Sequence, residues 1–204
     1  LIHYSTDYVF DGMQAGWYVE DDIPNPQSVY GASKLAGENG IAAVGCRNLI
    51  FRTSWVFGAH GGNFAKTILR LAKERESLNV IADQYGAPTS AHLIADVTVQ
   101  VIVRYWNEVN RESFSYGIYH LVAAGETTWY DYAKYVIDYA EKIGIDLRLK
   151  SSAIEAIPSI NYPLPAPRPS NSRLDSGKLR KTFGLILPDW HQDMVPVLEK
   201  IITV

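Results

Sequence analysis

Short apolar runs alternate with stretches of helical period along most of this sequence, and that alternation leaves few architectures open. Residues 1–4, 48–53, 78–82 and 117–122 read as strands, with a briefer one at 147–149. Residues 29–44, 64–75, 93–107 and 128–143 carry apolar or small side chains at steps of three and four, the spacing of one helix face. The run at 48–53 lacks polar alternation, the pattern of a strand covered on both faces, as in a parallel sheet. Parallel neighbours need crossovers, and helices supply them. The sequence predicts an α/β fold with a largely parallel sheet.

Boundary signals support these elements. Ser28 precedes the first helix and Thr128 the fourth, both as caps. Past Ser151 the texture changes: Pro158, Pro163, Pro165, Pro167 and Pro169 punctuate a long loop, expected to be ordered because it carries Tyr162, Arg168, Asn171 and Arg173. Two helices are expected after it, at 176–183 and 189–201.

Composition narrows the function classes. A net charge of −3 over 204 residues, with no basic run, gives nucleic acid no foothold. No stretch approaches the length of a membrane helix. Cys46 is the only cysteine, which excludes an internal disulfide, suits a reducing cytosol and reads as a small buried hydrophobe. Residues 1–4 look like the middle of a buried strand, so a segment upstream is expected to be missing.

The residues with most chemical content are Tyr30 and Lys34, four apart on one helix face. A free phenol ionises near pH ~10, too high for acid–base work at neutral pH. An adjacent ammonium stabilises the phenolate, so the phenol can give its proton to a carbonyl oxygen. Taken alone, such a pair is usually surface decoration. Its position after Ser5-Thr6-Asp7 changes that, because hydroxyls at the carboxyl end of a parallel strand face the ligand crevice. Local backbone capping is the alternative for Ser5 and Thr6. Only one of them is expected to reach a ligand, because strand side chains alternate.

The run Ser5 to Gly12, Tyr30-x-x-x-Lys34, Arg52 to Trp55, Asn63 to Lys66, Asp83 to Thr89, Tyr119 to Leu121 and Arg168 to Leu174 together resemble the extended short-chain dehydrogenase/reductases, and among them the dTDP-4-dehydrorhamnose reductases. The resemblance implies reduction of the 4-keto group of a dTDP-linked 6-deoxy sugar by NADPH or NADH in the cytoplasm. It implies that Tyr30 is the general acid and that Lys34 holds the nicotinamide ribose. Thr6 would bond the sugar carbonyl, Asp7 would contact the sugar, and Trp55 would lie against its ring. Arg168 or Arg173 would pair with the diphosphate, and 86–89 would form a wall between two lobes. Residues 1–57 with 117–145 would be the second half of a doubly wound, Rossmann-like dinucleotide-binding domain. Residues 58–116 and 146–204 would be largely a smaller substrate-binding α/β lobe.

Two departures stand out. The Gly-x-x-Gly-x-x-Gly loop that cradles cofactor phosphates is not in the sequence; Gly58, Gly61 and Gly62 fall in the wrong place and read as a flexible loop. Without it, the isolated chain is expected to be inactive. Some relatives bind Mg2+ between subunits through acidic residues, but His92 stands where a carboxylate is expected, so no metal site is assigned. A homodimer is still open, since an uncovered edge strand invites pairing with another chain. Rival readings are a nucleotide-sugar epimerase or dehydratase of the same superfamily, and a non-catalytic regulatory subunit of this fold.

Overall fold

The structure, a computed structural model, describes residues 1–162 and 168–203. Its elements are β1 (Ile2–Thr6), α1 (Val29–Val44), β2 (Leu49–Thr53), β3 (Val56–Phe57), α2 (Phe64–Glu74), β4 (Leu78–Ile81), β5 (Tyr85–Gly86), β6 (Thr89–Ser90), α3 (Ala91–Asn107), β7 (Gly117–His120), β8 (Thr127–Thr128), α4 (Trp129–Lys142), β9 (Ile154–Ile157), α5 (Gly177–Phe183) and α6 (Trp190–Thr203). A 3-10 turn at Asp7–Val9 follows β1.

The main sheet runs β1-β2-β7, all parallel. Every residue of central β2 is buried: Leu49 to Phe51 as their apolar run predicts, and the polar Arg52 and Thr53 with them. Among the described residues β1 pairs on one side only. Two smaller parallel ladders, β3–β6 and β4–β9, and one antiparallel ladder, β5–β8, complete the strands. The α/β class with parallel sheets is therefore as the periodicity predicts.

Helix α4 is the hub of the second cluster of elements. Tyr132, Ala133, Val136, Ile137 and Ala140 form one fully buried face, and they pack with α2, β4 and β9. Thr128 caps this helix by accepting from the Asp131 amide, as its position predicts.

Three expectations need correction. Residues 147–149 form no strand. Leu147 and Leu149 are buried, but only the Leu149 amide is tied, to the Ala72 carbonyl, and the strand that pairs with β4 lies later, at β9. Cys46 is partly exposed rather than buried, because it sits just past Gly45, the left-handed cap that ends α1 at the surface. Pro163, Pro165 and Pro167 of the proline-rich loop lie outside the described residues.

Helix α1 is held in an unusual way. Of its 16 residues only Gly31 and Glu38 are buried. Gly31 is required at its position: a Cβ there would stand 2.1 Å from the Tyr8 carbonyl oxygen, so the helix start rests directly on the turn after β1. Glu38 reaches into the sheet and accepts from Arg52 of β2, Nε to Oε1 at 3.0 Å and Nη2 to Oε2 at 2.6 Å. Both side chains are almost sealed from water, at 2% and 3% exposure. Phe10 covers the guanidinium at 5.0 Å, and the ring of His120 stands edge-on to Phe10. Burial, and then the Arg52 charge, push the His120 pKa down to about 3, so its ring is neutral beside the pair.

Removing one partner of such a pair leaves an uncompensated buried charge, which costs about 3–5 kcal/mol. Glu38→Ala should therefore lower the unfolding free energy by about that amount in urea titrations. A wild-type midpoint for this variant would mean that other contacts hold α1.

Candidate active site

Tyr30, Lys34 and Glu38 are spaced four apart and form one stripe along α1. Because Glu38 is pinned to the sheet, Lys34 comes down on β1 and Tyr30 onto the turn that follows it. The Lys34 ammonium donates to the Tyr4 carbonyl at 2.5 Å and lies 3.4 Å from His3 Nε2. Tyr30 stays 55% exposed, and its ring meets that of Tyr8 edge-on at 5.6 Å. Gly31 makes this contact possible, since any side chain there would lift the helix off Tyr8.

Thr6 and Asp7 are both buried beneath this corner. The Thr6 hydroxyl accepts from the Tyr8 amide at 3.2 Å and donates to Asp7 Oδ1 at 3.0 Å. It thus does the local capping that its position after a strand allowed, and a ligand would have to compete for it. Ser5 Oγ, Thr53 Oγ1 and Ser54 Oγ are buried with no hydrogen-bond partner. All three sit at or just past the carboxyl ends of β1 and β2, where parallel sheets bind ligands. An unpaired buried hydroxyl costs roughly 1–3 kcal/mol. In the β1–β2 register Ser5 stands opposite Arg52 and Thr53 opposite Thr6, so Ser5 and Thr53 project from opposite faces of this sheet edge.

A cavity of about 570 Å3 opens beside this corner, with Tyr8, Trp55, Phe64, Trp129, Tyr162 and Arg168 among its lining. Tyr8 belongs both to this cavity and to the Tyr30 contact, and so joins the two. Burial raises the Tyr8 pKa, with the Asp7 charge acting in the same sense and Arg168 against it. Trp55 adopts φ 48°, a left-handed conformation rare for a large side chain and costing roughly 1–3 kcal/mol. Its ring stacks on Trp129 with centroids 3.7 Å apart and planes 15° from parallel.

The two candidate arginines separate clearly. Arg173 donates to Asn171 Oδ1, Glu126 Oε2 and the Ala15 carbonyl, and packs over Tyr85. It is a brace for the loop. Arg168 is exposed and lines the cavity. His92 is exposed and lies 3.6 Å from Asp96. Among the described residues no cluster of three or more acidic, histidine or cysteine side chains is arranged to hold a metal. Gly58, Gly61 and Gly62 lie in the loop between β3 and α2. Tyr8 and Trp129 line the cavity, and neither stands out in the sequence as a candidate. Tyr8 lies inside the quoted Ser5-to-Gly12 run, whereas Trp129 reads as ordinary helix-start core.

Burial raises the pKa of Asp7 from 3.8 to about 6, with the Ser172 and Thr6 hydroxyls acting in the opposite direction. An acid whose folded value lies above its unfolded one binds its proton more tightly when folded. Its ionisation therefore opposes folding, and stability falls as the pH rises through that window. The full effect is about 3 kcal/mol. Asp7→Asn, which resembles the protonated acid, should gain stability relative to wild type between about pH 4 and pH 7. Urea midpoints across pH measure this, and a constant difference would show that Asp7 titrates like an exposed carboxylate.

The RmlD substrate binding domain family matches residues 1–202. The dTDP-4-dehydrorhamnose reductase of Escherichia coli K12 is 50% identical over 203 residues, and the chain spans 66% of that relative's length, slightly under two thirds. The crystal structure of a dTDP-4-dehydrorhamnose reductase from Clostridium acetobutylicum superposes with TM-score 0.84 at 33% identity, covering 100% of this chain and 66% of that one. The Bacillus anthracis enzyme, solved in complex with NADP, gives TM-score 0.82 at 33% identity, covering 98% of this chain and 65% of that one. The chain belongs to the RmlD substrate binding domain family.

Proposed function

We propose that this chain forms the acid–base and substrate-holding part of an enzyme that reduces the 4-keto group of a dTDP-linked 6-deoxy sugar, dTDP-4-dehydro-L-rhamnose to dTDP-L-rhamnose. The observation that carries this reading is the junction at Tyr8: Tyr30 packs on Tyr8, and Tyr8 lines the 570 Å3 cavity. A sugar held in that cavity can present its ketone to the Tyr30 hydroxyl. The relatives named dTDP-4-dehydrorhamnose reductase support the substrate, and the NADP complex of the Bacillus anthracis enzyme supports NADPH, with NADH as the alternative.

In this reading Tyr30 gives its phenolic proton to the carbonyl oxygen. Lys34, anchored one turn along α1 by the Tyr4 carbonyl, compensates the phenolate that remains. Thr6 turns its hydroxyl from Asp7 to the ketone. Asp7 and Trp55 contact the sugar, and Arg168, at the cavity wall, pairs with the diphosphate. The cofactor, when bound, supplies the hydride. Tyr30, Lys34 and the unpaired hydroxyl of Ser54 fit its nicotinamide-ribose end. Among the described residues no glycine-rich turn joins a strand to a helix in the way its phosphates need. The β1-β2-β7 sheet with α1 presents the acid, and the elements around α4 present the cavity.

We therefore expect the 204-residue chain alone not to oxidise NADPH with a dTDP-4-keto sugar, although it should bind dTDP in calorimetry. A chimera that carries this chain together with the remaining part of the Escherichia coli relative should turn over. In that chimera Tyr30→Phe should lower kcat by about a hundredfold or more, with KM little changed. Near-normal turnover by Tyr30→Phe would remove Tyr30 as the acid, and turnover by the chain alone would overturn the first expectation.

A further inference from the structure

Trp55 is held on both faces. On one side lies Trp129, nearly parallel at 3.7 Å. On the other lies the backbone of Gly86. A Cβ built on Gly86 would stand 2.6 Å from Trp55 Cε2 and 2.9 Å from both Cδ2 and Cζ2. Near-equal distances to Cε2 and to two ring atoms bonded to it put that carbon above the ring face, not beside its edge. Its nearest neighbours are all atoms of Trp55 and none of Trp129, so the two contacts are on opposite faces.

The jaws of this clamp belong to one piece of structure. Gly86 pairs with Thr127, and Tyr85 with Thr128, in the antiparallel β5–β8 ladder. Trp129 follows Thr128 directly, at the start of α4, and Phe64 packs against its ring at 4.7 Å. The ladder thus fixes the gap into which the Trp55 indole fits. Trp55 enters that gap from a left-handed backbone conformation that an unconstrained tryptophan would leave.

We propose that Trp129 and Gly86 are positioning residues that clamp the Trp55 indole, so that Trp55 meets a ligand in the cavity along its ring edge while Trp129 contributes the aromatic wall. This deepens the reading of the cavity as a nucleotide-sugar site and rests on it for the ligand, but the clamp itself is independent of any ligand. It gives the expected contact of Trp55 with the sugar a direction, along the ring edge, because neither face is free.

Two indoles this close and parallel couple their electronic transitions, so wild type should show a tryptophan exciton couplet in far-ultraviolet circular dichroism. Trp129→Phe, which keeps an aromatic ring in the core, should abolish it, as should Trp55→Phe. Gly86→Ala should abolish it as well, although it removes no tryptophan, because the added methyl displaces the Trp55 ring. Retained helix signal and cooperative melting would separate these effects from unfolding. In calorimetry with dTDP as the probe, Trp129→Phe and Gly86→Ala should each weaken binding about three- to tenfold, the range of an aromatic packing contribution. No couplet in wild type, a couplet that survives in folded Gly86→Ala, or unchanged dTDP affinity in both variants would overturn the proposal. A wild-type chain that shows the couplet but binds no dTDP would sink the nucleotide-sugar reading and leave the clamp standing.

Discussion

The buried pair between Arg52 and Glu38 is the constraint on which the rest of the site depends. Within this chain helix α1 buries little apolar surface, Leu35 aside, so hydrophobic burial does little to choose its rotation or its height above β1 and β2. The bidentate fork can, because two charge-assisted hydrogen bonds in a dry setting tolerate little displacement. Glu38 is in phase with Lys34 and Tyr30, so seating the carboxylate also seats the ammonium and the phenol. The close approach at Gly31 supplies the second point of contact, and two points define the axis of a helix.

A helix held this way leaves its chemical groups open. Tyr30 is half exposed at a corner where three hydroxyls are buried without partners and a carboxyl is desolvated enough to titrate near 6. Each of these lowers stability, and the apolar cluster around α4 and α6 offsets them elsewhere in the molecule. That division follows from strand direction. The carboxyl ends of parallel strands gather polar groups at one edge, while the helix faces packed on the strands carry the hydrophobic burial.

The cavity follows a different logic. Its wall mixes aromatic rings with aliphatic side chains of α2 and β4, and its most constrained member, Trp55, is fixed by neighbours 31 and 74 positions away in the chain, Gly86 and Trp129. A strained backbone at Trp55 persists because both faces of its ring are packed.

Much of this was legible in the residues themselves. Helix α1 begins after Ser28 and runs to Val44 as its period indicates, the apolar start of β2 is buried, and Thr128 caps α4. These are local matters, governed by period and by side chains that bond to nearby backbone. The same reasoning misread residues 147–149, because Leu147 and Leu149 are buried by loop packing rather than by pairing, and it passed over β9, whose partner β4 is far away in sequence. It took Tyr30 and Lys34 from their spacing, but could not say whether Arg168 or Arg173 faces the cavity.

By itself, the sequence determined the order of the longer helices and of the main strands, the spacing that puts Tyr30 and Lys34 on one helix face, and the family motifs, because all of these depend on residue type and short spacing. Only the tertiary structure decided that Arg52 receives Glu38, that Arg173 is consumed as a brace while Arg168 faces the cavity, and that Trp55 is clamped between Gly86 and Trp129. Those outcomes depend on which distant surfaces meet once the sheet has formed, and no local pattern of residues encodes a contact across such separations.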